Sequence, residues 1–451
     1  MDNSKLLVGI DIGTTTIKAV VADSGKVIGA VTTTNTGMRH GEIVDIDQTA
    51  AAISNALREV AEKTNTSIYN VIIGIPVGML QMESAAGITN VGDKGQEVGD
   101  EDVVRVLQSA IKSAVKDGRD PISFLPNRFM IDGKTDVDDP RKMIAHSLAV
   151  RGVLLTAPSG PLHNIRKAVE RAGYKNSFFV PTPLAIASVA LDEGERTFGS
   201  IILDLGGGTT TATVIHEGQI KYAKIDLEGG SDITNDISIV LSTSKKDAEQ
   251  IKLDYGYADP ELASDKDQFA VNSVGSNGQK MVTEKYLSEI INARVMQMTT
   301  RIGKGLAKTN ALKLPGGIVI TGGTSLLQGI DTIVENTLST KTRIYQPSQM
   351  GMRNPIYAAA YGIVIYATRL SEIDNLVNSA IYGTTILKKE TPAPHVQREK
   401  IPKRTVSDSE TESKVAYNNK EKGRSASSQK QAKDSKMRTG SVKSFFKKFF
   451  D

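Results

Sequence analysis

The stretch "VGIDIGTTTIKAVV" (residues 8–21) has a counterpart about 190 residues later, "IILDLGGGTTTATV" (residues 201–214). In both stretches an apolar run ends in an aspartate, a turn of glycine and threonine follows, and a second apolar run begins. This pattern predicts two β-hairpins. Because the same unit occurs twice, at a spacing far too long for a solenoid repeat, we expect two architecturally related halves.

The rest of the chain, up to about residue 384, alternates strand-like and helix-like segments, which predicts an α/β fold. Short apolar runs that end at Gly or Pro predict strands in "NVIIGIP", "RGVLLTAP" and "GGIVITGG". Apolar residues at helical spacing predict helices in "AAISNALREVAEKT", "DVVRVLQSAIKSAV", "LHNIRKAVERAG" and "KKDAEQIKLDYG".

The two hairpin turns are candidate phosphate sites. A Gly/Thr turn lets the backbone approach a ligand closely and directs several N–H groups at one point, a geometry that binds anions. A single hairpin of this kind is better explained as a plain tight turn, but the matched pair favours phosphate binding. The candidate residues are Gly13, Thr14, Thr15 and Lys18 in the first hairpin and Gly206, Gly207, Gly208 and Thr209 in the second.

Asp11 and Asp204 leave their strands at equivalent points of the two hairpins. Two carboxylates that face each other across a phosphate chain would hold a hydrated Mg²⁺, which prefers carboxylate and phosphate oxygens. The chain has no G-x-x-x-x-G-K-[ST] motif and no G-x-G-x-x-G that opens a helix after a strand. A nucleotide would therefore be held in another way than in P-loop or Rossmann proteins.

A third stretch, "GIVITGGTSLLQGI" (residues 317–330), reads as a strand, a Gly-Gly turn and the start of a helix. Gly322 and Gly323 would let a base or ribose lie against the backbone, and Thr324 stands near the helix N-cap, with the helix N-terminus close to phosphate. An ordinary capped strand-to-helix turn would have the same sequence pattern.

The composition argues against several other classes of site. The absence of Cys rules out disulfides and thiolate metal sites and fits a reducing compartment. The five histidines show no metal-ligand spacing, so we expect no zinc site. No apolar run approaches the roughly 20 residues of a membrane-spanning helix, and "MDNSKLLVGIDIG" lacks the features of a secretory signal.

Charge is distributed unevenly along the chain. Residues 388–451 hold 17 Lys and Arg against 8 Asp and Glu, a net charge of +9, which leaves −5 for the rest of a chain whose total is +4. Residues 388–440 are rich in Ser, Lys, Gln and Glu, so we expect a disordered basic linker. A basic tail on an acidic body indicates an anionic partner for the tail.

The chain ends in "SVKSFFKKFFD" (residues 441–451), which contains four of its ten Phe. On a helix these residues form an apolar stripe with basic side chains beside it, which is typical of a helix that lies in a membrane interface. Docking on the protein's own surface and nucleic-acid binding are the alternatives, and four Phe in a stripe make the second less favoured. The predicted membrane contacts are Val442, Phe445, Phe446, Lys447, Lys448, Phe449 and Phe450.

The two hairpins and the Gly-Gly turn, in this order, resemble the two phosphate segments and the adenosine segment of the actin-like ATPase superfamily. "PTPLAIASVAL" (residues 181–191) and "NPIYAAAYGIVIYA" (residues 354–367) look like its two connecting helices. "KKDAEQIKLDYG" resembles the helix that contacts adenine, by position through Glu249 and Lys252. The resemblance implies an actin-like α/β fold, with two related halves around a nucleotide cleft, and ATP with Mg²⁺ as cofactors.

Within the superfamily the sequence is most similar to the FtsA family of bacterial cell-division proteins. The strand "FMIDG", the turn "DPRKM" and the strand "LAVRGVLLTAP" resemble the small α+β domain that this family inserts in its first half. The implied boundaries are 1–79, first part of domain I; 80–161, insert; 162–196, return to domain I; 197–228, domain II; 229–300, fourth subdomain; 301–353, domain II; 354–387, second connecting helix and return to domain I; 388–440, linker; and 441–451, membrane helix.

The same resemblance implies that the fourth subdomain docks the C-terminal peptide of the tubulin-like protein FtsZ. The helix "YLSEIINARVMQMTTRIGKGL" would hold the contacts, with Glu289, Arg294 and Arg301 as candidates. Charged residues on a helix are also the ordinary composition of a solvated face.

The family resemblance implies a polymerising, ATP-binding protein that tethers FtsZ filaments to the cytoplasmic face of the membrane at the division site. Its expected partners are FtsZ, further copies of itself, an anionic membrane surface and other division-ring proteins, but no nucleic acid. The first connecting segment, "VPTPLAIAS", contains no carboxylate to orient an attacking water, so we expect slow or conditional hydrolysis and name no catalytic base. A small-molecule kinase or a pilus-assembly relative of the same fold are the alternative interpretations.

Overall fold

The computed structural model describes residues 6–274, 279–349 and 351–383. The predicted linker and the predicted membrane helix (residues 388–440 and 441–451) lie outside the described residues.

The described residues form strands and helices in close alternation. The strands are β1 (Leu6–Ile12), β2 (Thr16–Asp23), β3 (Lys26–Thr34), β4 (Met38–Arg39), β5 (Glu42–Ile43), β6 (Asn70–Ile75), β7 (Gln81–Asn90), β8 (Gln96–Glu97), β9 (Arg119–Ile131), β10 (Thr135–Val137), β11 (Ile144–Ala145), β12 (Ser147–Pro158), β13 (Lys175–Pro181), β14 (Ser200–Leu205), β15 (Thr210–His216), β16 (Gln219–Asp226), β17 (Gln268–Asn272), β18 (Gln279–Thr283), β19 (Ile318–Thr321) and β20 (Thr342–Ile344). The α-helices are α1 (Ile46–Thr64), α2 (Asp100–Ala114), α3 (Ser159–Arg171), α4 (Thr182–Ala190), α5 (Glu193–Phe198), α6 (Gly230–Leu241), α7 (Lys245–Tyr255), α8 (Glu284–Ala307), α9 (Ile330–Leu338), α10 (Ala358–Thr368) and α11 (Glu372–Tyr382).

Two five-stranded sheets have the same strand order and the same strand directions. The first sheet is ordered β3-β2-β1-β6-β13 and the second β16-β15-β14-β19-β20. In each sheet the first three strands are antiparallel neighbours, and the remaining two pair in parallel. This equivalence confirms the prediction, made from the repeated hairpin, that the fold consists of two related halves.

The two predicted hairpins occupy equivalent places in these sheets. β1 pairs with β2 so that Asp11 faces Lys18, and β14 pairs with β15 so that Asp204 faces Thr211. β1 and β14 are the central strands of their sheets; the middle of β1 and nearly all of β14 are buried. The two aspartates are thus held near the ends of central strands.

The first half contains the expected insert. A four-stranded sheet, ordered β10-β9-β12-β7, packs against α2 and has a hydrophobic core of its own, which includes Leu107, Phe124, Phe129 and Leu148. The C-terminal helix α11 completes this core with Leu376. The insert therefore packs against the C-terminal end of the described chain and is more than a surface loop.

The helices α4 and α10 cross where the two halves are connected, and nearly all of their residues are buried. A Cβ atom on Gly362 would lie 2.3 Å from the carbonyl oxygen of Ala185, and one on Gly9 would lie 2.8 Å from Val364 Cγ2. Only glycine allows α10 to approach both α4 and β1 this closely. The crossing therefore sets the position of the first hairpin relative to the second.

Residues 229–300, the predicted fourth subdomain, contain α6, α7, the β17–β18 hairpin and most of α8. Among the described residues, no helix combines the length and the apolar character required to cross a bilayer.

Candidate nucleotide-binding site

The turns of the two hairpins contact each other across the junction of the two halves. A Cβ atom on Gly207 would lie 2.4 Å from Thr15 Oγ1, and a Cβ atom on Gly208 would lie 2.6 Å from Thr14 Cγ2. A side chain at either glycine would therefore separate the turns. The two predicted phosphate turns thus lie next to each other.

Both turns are closed by the same backbone hydrogen bond. The N–H of Gly13 donates to the carbonyl of Thr16 (3.1 Å), and the N–H of Gly206 donates to the carbonyl of Thr209 (3.0 Å). The structural equivalence predicted from sequence therefore extends to individual atoms of the turns. The Thr14 hydroxyl additionally accepts a bond from the N–H of Gly41 (3.0 Å), which orients that threonine.

The two aspartates lie in one electrostatic environment. Lys18 Nζ forms an ion pair with Asp11 Oδ2 at 3.1 Å. Burial raises the pKa of Asp204 from 3.8 to about 6; the Asp11 carboxylate raises it as well, and Lys18 opposes them. Asp204 keeps part of its surface accessible. Among the described residues, the Lys18 ammonium is the one positive charge that acts on both carboxylates, so the pair keeps a net negative charge that a bound cation would balance.

The Gly-Gly turn of the third stretch packs against the second hairpin. Gly322 has a φ of 91°, a conformation that favours glycine, and a Cβ atom there would lie 2.4 Å from Asp204 Oδ1. The Thr324 hydroxyl donates to the carbonyl of Gly206 (3.0 Å). The three predicted nucleotide-binding stretches therefore meet around the second hairpin turn, from Asp204 to Gly208.

The start of α6 also reaches the second turn, which the prediction from sequence did not include. The N–H groups of Gly230 and Ser231 donate to the carbonyls of Gly206 (3.0 Å) and Gly207 (2.7 Å). A Cβ atom on Gly229 would lie 2.6 Å from the Gly206 oxygen. The "GG" before a helical segment is the sequence signal that would have indicated this close approach.

Glu249 and Lys252, the predicted adenine contacts, lie together on α7. The buried Lys252 ammonium donates to the carbonyl of Gly230 (2.9 Å), to Thr234 Oγ1 (2.8 Å) and to Glu249 Oε2 (2.7 Å). These bonds use all three of its donors, and burial lowers the pKa of Lys252. The ammonium thus fastens α7 to the start of α6, and Glu249 is the more exposed partner.

The three candidate FtsZ contacts on α8 have different environments. Glu289 is exposed, and Arg301 is partly exposed and pairs with Glu228 at 2.8 Å. Arg294 is only 6% exposed and is paired with Asp236 (2.6 Å) and Glu228 (2.7 Å). Its burial does not fit the predicted role as a surface contact, because a guanidinium enclosed by two carboxylates holds α8 to the body of the subdomain.

The exposed face of α8 contains residues that the prediction missed. Tyr286 and Met296 are exposed and stand at helical spacing with Glu289, whereas Leu287, Ile290 and neighbouring apolar residues point into the core. The spacing 286, 289, 293, 296 follows one side of a helix. Apolar residues on an otherwise polar helical face were therefore the sequence signal that could have indicated a contact surface on α8.

Two sheets of equivalent topology whose hairpin turns meet at the junction define an actin-like protein. Two solved structures share this fold: a chain of the PilM–PilN type IV pilus biogenesis complex (TM-score 0.56, 14% identity, 81% of this chain and 99% of that chain), and MreB5 of Spiroplasma citri bound to ADP (TM-score 0.50, 13% identity, 80% and 96%). At such low identity these similarities show the fold alone.

The sequence comparisons define the family. The family model described as cell division protein FtsA matches residues 201–362, and the model of the SHS2 domain inserted in FtsA matches residues 78–156. Cell division protein FtsA of Enterococcus hirae is 40% identical over 87% of this chain and 89% of its own length. FtsA of Enterococcus faecalis is 37% identical over the full length of both chains. The chain belongs to the FtsA family of cell division proteins.

The pKa of Asp204 leads to a prediction for the protein without nucleotide. A carboxyl group whose pKa is higher in the folded than in the unfolded state lowers folding stability once it is ionised. We expect Asp204→Asn to raise the free energy of unfolding relative to the parent, by an amount that grows between pH 4 and pH 6, then levels off at about 3 kcal/mol or less. Urea unfolding across this pH range measures the difference.

The matched control is Asp138→Asn, because the Asp138 side chain is 89% exposed. It should show no such growth with pH. A constant or shrinking difference for Asp204→Asn would contradict the electrostatic interpretation of the site.

Proposed function

We propose that the chain binds ATP between the turns of its two hairpins and acts in the division ring as a polymerising protein that links FtsZ filaments to the membrane. The observation that carries the nucleotide part is the contact of Thr14 and Thr15 with Gly207 and Gly208. Backbone N–H groups and hydroxyls from both halves are available there to one phosphate chain. The ADP bound to the MreB5 neighbour is consistent with this proposal.

A magnesium ion fits the residues of this site. In the described part of the chain no cluster of three or more His, Cys, Asp or Glu could hold a metal by itself. Asp11 and Asp204 would therefore share the ion with phosphate oxygens and waters, the ligand set that Mg²⁺ prefers. The ion would supply positive charge to the phosphates, and it would favour the ionised form of Asp204.

Hydrolysis is proposed to be slow or conditional. The helix α4, where a water-orienting group would be expected, has the sequence "TPLAIASVA", which contains no acid or amide side chain. Without such a group the protein loses a large part of the orientation of an attacking water. Its own residues would then mainly bind and orient the nucleotide, which suits a protein whose nucleotide controls assembly.

The nucleotide proposal predicts that Asp204→Ala weakens binding of ATP in the presence of Mg²⁺ by about tenfold or more, because one carboxylate of the metal site is removed. Titration of a fluorescent ATP analogue measures the affinity. The control is Asp138→Ala, far more exposed and outside the site. Identical titration curves for Asp204→Ala and the parent would refute the proposed metal role.

We place the FtsZ peptide on the exposed face of α8 formed by Tyr286, Glu289 and Met296. Exposed apolar side chains beside a charge suit a peptide with both apolar and charged residues. Arg301 stands beside this face, while Arg294 supports it from inside through Asp236 and Glu228. In this proposal Glu289 and Arg301 remain contact residues, and Arg294 is a positioning residue.

We predict that Met296→Glu weakens binding of the C-terminal FtsZ peptide about tenfold or more, since it would bring a charge into an apolar contact. Ile88→Glu, at an exposed apolar position of the insert, is the control and should leave binding unchanged. Arg294→Ala should instead lower the free energy of unfolding by about 3–5 kcal/mol, because it leaves buried carboxylates unpaired. Peptide binding that tolerates Met296→Glu would exclude this face.

The membrane part of the proposal rests on the sequence of residues 441–451. Burial of each Phe of the stripe contributes about 1.5–3 kcal/mol, each Lys near an anionic surface adds about 1 kcal/mol, and ordering of the peptide removes several kcal/mol. One copy would bind reversibly, and many copies on a filament would bind far more firmly through effective concentration. Self-assembly and membrane attachment would therefore reinforce each other.

Deletion of residues 442–451 is expected to abolish co-sedimentation with vesicles that contain phosphatidylglycerol, because the apolar stripe is removed. Ser444→Ala, which lies away from the stripe, should still pellet with the vesicles. Equal pelleting of the full chain and the truncated chain would rule out this anchor.

A further inference from the structure

A polar pocket of about 380 Å³ lies on the connection between the two halves, and its lining does not include any residue of the nucleotide site. It is bounded by the end of α4, by the segment that follows β20, and by α10. Its volume is within the range of about 300–1,000 Å³ that is typical of ligand sites.

Two arginines without a carboxylate partner line this pocket. Arg196 Nη1 donates to the carbonyl of Leu191 (2.5 Å), and Arg369 Nη1 donates to the carbonyl of Ser188 (2.7 Å). Within residues 6–274, 279–349 and 351–383, neither guanidinium is in an ion pair, whereas the neighbouring Arg343 is paired with Glu195. Because a guanidinium has five donors, each of the two keeps donors for a further partner.

The rest of the lining adds no negative charge. None of the lining residues is an Asp or Glu. Burial raises the pKa of Tyr345 and of Tyr361, so both hydroxyls stay neutral near pH 7. The pocket therefore presents two positive charges, and the partial negative charge at the end of α4 opposes them only in part. This arrangement favours an anionic ligand.

The remaining polar groups of the pocket indicate what kind of molecule the anionic ligand is. Gln346, Ser348 and Gln349 offer both donors and acceptors, as a peptide backbone requires. The Gln349 amide nitrogen donates to the Tyr361 hydroxyl, which orients the Gln349 side chain in the wall. The exposed side chains of Gln346 and Ser348 match a ligand that has both N–H and C=O groups, and a free phosphate has no N–H group.

We propose that this pocket binds a short acidic peptide segment of a partner protein, with its carboxylates on Arg196 and Arg369 and its backbone on the glutamines of the wall. The site is separate from the nucleotide cleft and from the exposed face of α8. Both arginines also hold carbonyls at the end of the connecting helix α4. A peptide bound there would contact the connection between the two halves directly.

The test uses the full chain and a fluorescein-labelled tetrapeptide with adjacent glutamate and aspartate as the probe. We expect fluorescence polarisation to show binding of this probe. A control peptide in which glutamine and asparagine replace the glutamate and aspartate should bind with an affinity that is at least about tenfold lower. Gln346→Glu, on the exposed part of the wall, should weaken binding to the same degree, because its carboxylate would occupy the arginines.

Arg196→Gln is the second variant and should have the same effect, whereas Arg151→Gln, exposed on β12, should have none. Equal binding by all variants would overturn the proposal, since the peptide would then be held elsewhere, for example by the basic residues after 388. Displacement of the probe by pyrophosphate as readily as by unlabelled acidic peptide would also overturn it in favour of a small-anion site. We expect Asp204→Ala to bind the probe as tightly as the parent does, so that peptide binding can be judged independently of the nucleotide proposal.

Discussion

The contact between the two hairpin turns constrains the rest of the structure. Thr14 and Thr15 occupy the space that side chains at Gly207 and Gly208 would need, so the two halves approach each other at the level of single atoms. That approach is possible because α10 lies unusually close to α4 and to β1, with glycine at both contacts. A change at the crossing of these helices would therefore be transmitted to the phosphate turns, although it lies outside the site itself.

The electrostatics of the site follow from the same geometry. Asp11 and Asp204 are brought together by the junction, and Lys18 pairs with Asp11. Desolvation and the Asp11 carboxylate together raise the pKa of Asp204. The arrangement is unfavourable without a further positive charge. Sites that bind ligands often retain such unfavourable features, because the ligand relieves them. The charge shortage at Asp204 is thus more informative about function than any individual hydrogen bond in the turns.

In the predicted fourth subdomain, charged side chains join one element to another inside the protein. Lys252 donates hydrogen bonds to Gly230 and Thr234 at the start of α6, and Arg294 joins α8 to Asp236 and Glu228. Glu228 immediately precedes the Gly-Gly pair that contacts the second turn, and the backbone carbonyl of Glu228 accepts a bond from Thr210 (3.0 Å). The charged residues closest to the candidate peptide face are therefore part of the framework that connects this face with the nucleotide turn. The exposed Tyr286 and Met296 remain as the surface itself.

The sequence by itself determined the α/β class and the pair of hairpins. Both follow from local patterns of apolar spacing and turn residues, and the physical preferences behind these patterns act over a few neighbouring residues. The inserted domain and the connecting helices were expected from the family resemblance and not from such patterns. The tertiary structure alone decided which charged residues are buried. Arg294 and Glu289 are alike in sequence context, but the partners that bury Arg294 come from residues about 60 positions earlier. It also decided that Arg196 and Arg369, about 170 residues apart, share one pocket. Such placements depend on packing between distant segments, and no local pattern records them.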